Sequence, residues 1–133
     1  MKLLTVLNPA SGVTDKNFFK KKAEKLFENY GIEYKILETA GENDEKRIRK
    51  ITEKFLPDKI AAAGGDGTLL TVALAVKDLN IPIGIVPLGS SNGMAFEMNV
   101  AQQPADALKD ILLSSIIRKI DLLVVNNEHY SLH

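Results

Sequence analysis

The chain has 133 residues, 45% of them hydrophobic, which is one domain's worth of sequence and too apolar for a disordered segment. Seventeen Lys and Arg balance seventeen Asp and Glu for a formal net charge of zero, which removes the long-range field of a dedicated nucleic-acid binder. With no cysteine and only His129 and His133 as histidines, disulfide scaffolds, thiolate metal sites, Cys nucleophiles and Ser-His-Asp triads find no support. No apolar run approaches the roughly 18 residues of a membrane span. The N-terminus turns to Asn8-Pro9 too early for a signal peptide, so a soluble, cytoplasmic domain is expected.

The hydrophobic period then switches repeatedly along the chain. Residues 3–7 form a short apolar run, predicted as a strand and ended by the turn formers Asn8-Pro9-Ala10-Ser11-Gly12. Phe19, Ala23, Leu26, Phe27 and Tyr30 share one face at helical spacing, with Thr14 or Asp15 as the cap and Gly31 as the stop. Residues 32–37 read as a second strand. Ile48, Ile51 and Phe55 define a second helix, starting after Asn43 or Asp44 and ended by Pro57.

Residues 59–63 (Lys-Ile-Ala-Ala-Ala) predict a third strand, which enters Gly64-Gly65-Asp66-Gly67-Thr68. Residues 69–79, apolar on nearly every side, predict a deeply packed helix. Residues 83–86 predict a fourth strand, followed by a second small-residue loop at 87–93. Short helices are expected at 94–98 and 105–114, and Leu108, Ile111 and Leu112 share a face of the latter. A fifth strand is expected at 120–125, with a hairpin turn at Asn126-Asn127 into residues 129–132. Strands alternating with helices imply an α/β fold in three layers, a mostly parallel sheet with helices on both faces. Apolar rather than alternating strands imply a sheet buried on both sides. The chain is expected to divide into a nucleotide-binding α/β domain at 1–118 and the start of a β-rich second domain at 119–133. The final hairpin offers an edge on which a second copy would pair as a homodimer.

In such sheets ligands bind beyond the carboxyl ends of the strands. Three loops rich in small residues leave those ends, at 8–12, 64–68 and 88–93. Glycines let the backbone of the second approach a ligand closely, and the following helix start presents unpaired N–H groups suited to a phosphate. Thr68 adds a hydroxyl. Asp66 is an acid beside that phosphate position, so it suits Mg²⁺ recruitment or a hydroxyl being deprotonated, or else it caps a helix. Ser90, Ser91 and Asn92 carry groups for phosphate or ribose, or for helix capping. Neither a Walker-type phosphate loop nor a Gly-x-Gly-x-x-Gly after the first strand is present.

Together, Asn8-Pro9-Ala10-Ser11-Gly12, Gly64-Gly65-Asp66-Gly67-Thr68 and Pro87-Leu88-Gly89-Ser90-Ser91-Asn92 resemble the diacylglycerol kinase catalytic-domain family, in motif order and spacing across essentially the whole chain. Sphingosine kinases belong to it, and NAD kinases share its superfamily. The glycine-rich motif alone fits an NAD kinase equally well, while the other two loops favour the lipid-kinase branch. The resemblance implies the N-terminal nucleotide-binding domain of a lipid kinase that uses ATP and Mg²⁺. Gly64, Gly65, Asp66, Gly67 and Thr68 would surround the nucleotide phosphates. Asn8, Pro9, Ala10, Ser11 and Gly12 would line the same pocket with Gly89, Ser90 and Asn92, and Thr39 matches a threonine that the family uses for ATP. Asp121 matches an acid that joins the glycine-loop aspartate in an Mg²⁺–water network, which makes Asp66 and Asp121 the expected metal residues.

Two substitutions depart from the family pattern. Its usual Asn-Asp is Asn92-Gly93 here, which removes one carboxylate, and its common Asn-Glu after the glycine loop is Leu70-Thr71. Family members also continue well beyond this length into a β-rich domain that holds the acceptor lipid and the general base. The reaction implied is transfer of the ATP γ-phosphate to a diacylglycerol-like hydroxyl, the fragment alone being inactive. The alternatives are an NAD kinase-like enzyme and a non-catalytic nucleotide- or lipid-binding module. Lys16, Lys20, Lys21, Lys22 and Lys25, with Lys46, Arg47, Arg49 and Lys50, make basic patches that suit a peripheral membrane contact or an ordinary solvated face.

Overall fold

The structure, a computed structural model, describes residues 1–10, 15–88, 92–114, 122–125 and 129–132, the last two segments as backbone only. In chain order the elements are β1 (Lys2–Leu7), α1 (Lys16–Asn29), β2 (Glu33–Glu38), α2 (Asp44–Phe55), β3 (Lys59–Gly64), α3 (Asp66–Val76), β4 (Ile83–Pro87), α4 (Gly93–Glu97), α5 (Pro104–Leu113), β5 (Leu122–Val125) and β6 (His129–Leu132). The first four strands form one parallel sheet in the order β2-β1-β3-β4, while β5 and β6 pair antiparallel as a separate ribbon. Of the strand expected at 120–125, residues 120 and 121 lie outside the described residues, as does the turn at Asn126-Asn127.

The central strands are apolar on both faces, and helices cover both. On one side Leu3, Leu7, Ala61, Ala63 and Val86 meet Phe19, Ala23 and Phe27 of α1 and Leu108 and Leu112 of α5. On the other, Leu4, Val6, Ile60 and Ala62 meet Ile48 and Phe55 of α2, Leu69 and Val72 of α3, and Met94 of α4. This is the expected three-layer α/β arrangement. The small side chains of β3, Ala62 towards α3 and Ala61 and Ala63 towards the other layer, leave room for helices on both faces, and Gly84 of β4 leaves the space that the Ile111 side chain of α5 occupies. Lys59 fixes that helix end by donating to the carbonyls of Ile111 (2.7 Å) and Ser114 (2.6 Å), a cation at a helix C-terminus.

Several expectations shift. β2 is not an apolar run: Glu33, Lys35 and Glu38 are exposed because β2 is the sheet's edge and only its inward positions reach the core. α1 begins after Asp15, whose carboxylate accepts from the Asn17 and Phe18 N–H groups. α3 starts three residues earlier than its apolar run and ends at Val76 rather than at Leu79, because the backbone turns there and Asn80 is left-handed (φ 57°). α2 follows a left-handed Asn43 and ends on a left-handed Leu56 just before Pro57.

Candidate functional site

The parallel ladder runs unbroken into the loops at the carboxyl edge of the sheet. Thr39 N–H donates to the Leu7 carbonyl (2.9 Å), Asn8 N–H to Ala63 (3.0 Å) and Leu88 N–H to Gly64 (3.0 Å). Thr39, Asn8, Gly64 and Leu88 therefore leave four adjacent strands at one level. Thr39, Asn8 and the glycine loop are consequently neighbours along one edge although they are far apart in sequence.

At the centre, Gly65 precedes α3 in extended backbone (φ −97°, ψ −165°) with no side-chain cap, so among the described residues the first-turn N–H groups have no side-chain acceptor. Gly67 is open: a Cβ placed on it would meet no heavy atom within 4 Å. Thr68, by contrast, is only 6% exposed and belongs to the interior side of the turn. An anion fits the exposed side of this turn, where uncapped donors and the positive end of the helix coincide.

Asp66 is the first residue of α3, and its carboxylate crosses to the next loop. Oδ2 accepts from the Gly93 N–H (3.1 Å) and Oδ1 from the Met94 N–H (3.1 Å). Asp66 thus caps a helix, but α4 rather than its own. The consequence is mechanical: the glycine turn and the start of α4 are fastened together by one side chain. Each oxygen keeps a further lone pair, so the carboxylate remains able to accept from a metal-bound water. Among the described residues no group of three or more His, Cys, Asp and Glu is arranged to hold a metal ion. That donor set fits Mg²⁺ of the kind held by one carboxylate, waters and substrate phosphates, not an all-protein cage.

The flanking loops are organised by their own carbonyls and carboxylates. Asn8 Oδ1 accepts from the Ala10 N–H (3.0 Å), a turn closed by the side chain itself, with Pro9 and Ala10 exposed beyond it. After Thr39, the Asp44 carboxylate accepts from Ala40 N–H (2.8 Å) and Gly41 N–H (2.9 Å) and pairs with Arg47, which also donates to the Glu38 carbonyl. The Ala40 N–H, with Gly41 and Arg47, holds the Asp44 carboxyl below its ordinary value against the opposing push of burial. Thr71, one of the departures from the family pattern, donates its hydroxyl to the Gly67 carbonyl (2.9 Å) and so braces the first turn of α3.

Of the sequence-predicted site residues, Asn8, Thr39, Gly64, Gly65, Asp66 and Gly67 come together at this edge, and Asn92 directly precedes α4. Ser11, Gly12, Gly89, Ser90 and Asp121 lie outside the described residues. Sequence reasoning missed two features. In the sequence Gly93 shows only as a lost carboxylate, whereas its N–H donates to Asp66. Asp44 shows there only as a helix start, although an Asp three and four residues after Gly41 and Ala40 is a recognisable loop-closing signal.

With that geometry in place, comparison with known proteins gives the class. Residues 2–125 match the family model for the diacylglycerol kinase catalytic domain, and the chain belongs to that family. It is 29% identical to the diacylglycerol kinase of Bacillus subtilis (strain 168) over 130 residues, 94% of this chain and 42% of that one. Sphingosine kinase 1 of Arabidopsis thaliana is 34% identical over 101 residues, 70% of this chain and 21% of that protein. The crystal structure of a diacylglycerol kinase from Bacillus anthracis str. Sterne superposes with a TM-score of 0.72 at 25% identity, over 91% of this chain and 44% of that one. The chain therefore spans less than half the length of these relatives.

Proposed function

We propose that this chain is the nucleotide-binding part of a lipid kinase, which positions ATP for transfer of its γ-phosphate to a lipid hydroxyl of the diacylglycerol type. The observation that carries the reading is the junction of loops at the sheet edge: four strand exits in register, a glycine turn without a side-chain cap, and Asp66 joining that turn to α4. Phosphoryl transfer asks mainly for positioning and charge neutralisation, which backbone donors supply without side-chain reorganisation. In this reading the N–H groups of Gly67 and Thr68 hold phosphate oxygens. Asn8, Pro9, Ala10, Ser11 and Gly12 close one side with Thr39, and Gly89, Ser90 and Asn92 close the other. When Mg²⁺ is bound it would neutralise phosphate charge, with Asp66 and Asp121 holding its water shell. Residues 1–118 make the nucleotide-binding domain and residues 119–133 open a second one. The acceptor lipid and the general base are assigned to that further sequence, which the relatives' greater length supports.

The test is titration calorimetry with Mg-ATP. Binding by the wild type and at least ten-fold weaker binding by Asp66→Ala is expected; no detectable heat from the wild type would overturn the reading. Phosphorylation assays on the complete protein with diacylglycerol and with NAD then separate the lipid kinase from an NAD kinase. A non-catalytic binding module is the second reading, favoured by Gly93 and by Thr71, whose hydroxyl is spent on the Gly67 carbonyl. Tight ATP binding with no phosphorylation of any lipid would establish it.

A further inference from the structure

We propose that the Asn92-Gly93 peptide is a self-modification site, where the asparagine deamidates through a succinimide, and that the Asp66 carboxylate restrains the reaction while the chain is folded. Of the chain's asparagines only Asn92 is followed by glycine. Asn8 precedes Pro9, which has no N–H, and Asn80 and Asn99 precede the branched Ile81 and Val100. The reaction needs the Gly93 nitrogen to reach the Asn92 Cγ, and a residue without Cβ leaves that approach open. The nitrogen gives its proton to a base in solvent and forms the N–Cγ bond. The Cγ–Nδ2 bond breaks, and the amide leaves as ammonia with a proton from water. Water then opens the ring at either carbonyl, which leaves aspartate or isoaspartate at position 92.

The geometry at Asp66 opposes each of the early steps. Asp66 Oδ2 accepts the Gly93 N–H at 3.1 Å, and Oδ1 accepts that of Met94 at 3.1 Å. The nitrogen that must become an anion therefore lies beside a negative charge, which disfavours its ionisation. A carboxylate is also far too weak a base to take an amide proton itself. Ring closure further requires this nitrogen to eclipse the Asn92 Cβ. Asn92 stands at φ −122° and ψ 47°, away from that rotation, and turning it would pull Gly93 and Met94 off both oxygens. Reaction thus proceeds from the open state, in which α4 has left Asp66.

The product makes that opening permanent. Either outcome sets a second carboxylate near Asp66, and like charges oppose the clamp. In isoaspartate the main chain runs through Cβ and Cγ, so the Asn92 carbonyl that accepts from the Phe96 N–H (2.9 Å) becomes a side-chain carboxylate. α4 then loses its first backbone acceptor. The step uses only this chain and water, so it stands independently of the kinase reading.

Incubation at mildly alkaline pH, followed by mass spectrometry of the tryptic peptide holding Asn92, reads the conversion as an exchange of NH₂ for OH. Enzymatic methylation of isoaspartate reads the isomer. Folded wild type should convert slowly and the same protein in urea quickly. Folded Asp66→Ala should convert about 30-fold faster than folded wild type, the factor by which loss of the clamp eases opening, and at the wild-type rate in urea. Asp66→Asn, which keeps an acceptor but not the charge, should lie between, and it carries the comparison if circular dichroism shows the alanine variant unfolded. Asn92→Gln, whose ring would need one more atom, should leave the peptide unchanged over the same period. The inference is overturned by wild type that converts as fast folded as in urea, by folded Asp66 variants no faster than wild type, or by an Asn92 that stays intact even in urea.

Discussion

The Asp66 carboxylate accepts the Gly93 N–H at 3.1 Å, and its second oxygen takes Met94 at the same distance. The first turns of α3 and α4, far apart in sequence, are joined by that one side chain. A helix as short as α4 gains little from its own ladder, so an external carboxylate at its positive end contributes a large share of its order. Asp66→Ala should therefore loosen α4 before it affects the sheet. Charge-assisted bonds of this kind contribute about 2 kcal/mol, so amide exchange at Gly93 and Met94 should accelerate roughly 30-fold while the amides of β1 and β3 keep their protection. Asp66→Asn, which keeps size and one acceptor oxygen, should fall between. Unchanged exchange at Gly93 and Met94 in the alanine variant would show that the clamp contributes nothing.

Asp44 makes a pH-dependent contribution to stability. Its carboxyl is held below the ordinary value, chiefly by the Ala40 N–H. A carboxyl depressed by folding stabilises the native state fully above its unfolded pKa, and that contribution is lost as the pH falls through the folded one. The loop after β2 should thus loosen in acid, below the ordinary carboxylate value of 3.8. Asp44→Asn should cost about 1–2 kcal/mol at neutral pH and flatten the acid limb of the stability curve. Urea titrations of both proteins across the acid range compare the two slopes directly.

Leu56 is the opposite case, a residue that its own backbone disfavours. It ends α2 with a φ of 54° and is 68% exposed, so it has left-handed strain with little packing to offset it. Glycine is the usual residue at such a helix end. Leu56→Gly should raise stability by about 0.5–1 kcal/mol, the relief of strain exceeding the greater freedom of the unfolded glycine chain. Thermal melts decide it, and a fall in melting temperature would mean that the exposed leucine packs better than its surface area suggests.

Much of the fold is legible because the central strands are nearly continuous apolar runs, broken only by Thr5 in β1 and Lys59 at the start of β3, and each is punctuated by Gly, Pro or Asn. Residues 3–7 and 59–63 carry no polar alternation, which only a sheet covered on both faces requires. β2 was less legible, since an edge strand mixes Glu33, Lys35 and Glu38 with inward apolar residues. The glycine turn stands out by its composition, and Asp66 stands out within it as an acid among small residues. Its partner was hidden because a backbone N–H has no sequence signature: nothing in Asn92-Gly93-Met94 announces two donors aimed at a carboxylate 27 and 28 positions earlier. The end of α3 was overestimated because Leu79 continues the apolar run while the chain itself has already turned.

Gly93 stands where the family pattern usually has an aspartate, and the packing explains what restoring that residue would do. A Cβ at Gly93 would lie 3.2 Å from Asp66 Oδ2, close enough that the clamp must give by a few tenths of an ångström. Gly93→Asp adds a second carboxylate beside the first, and like charges at that range oppose each other's ionisation. Without a divalent cation the variant should lose about 1–2 kcal/mol relative to wild type. A cation held between the two carboxylates removes the repulsion and binds the folded state preferentially, so added Mg²⁺ should raise the melting temperature of the variant more than that of the wild type. Gly93→Asn separates crowding from charge: it should share the packing cost and show no extra Mg²⁺ response. If Mg²⁺ shifts all three proteins equally, Asp66 and position 93 do not share an ion, and the clamp is purely structural.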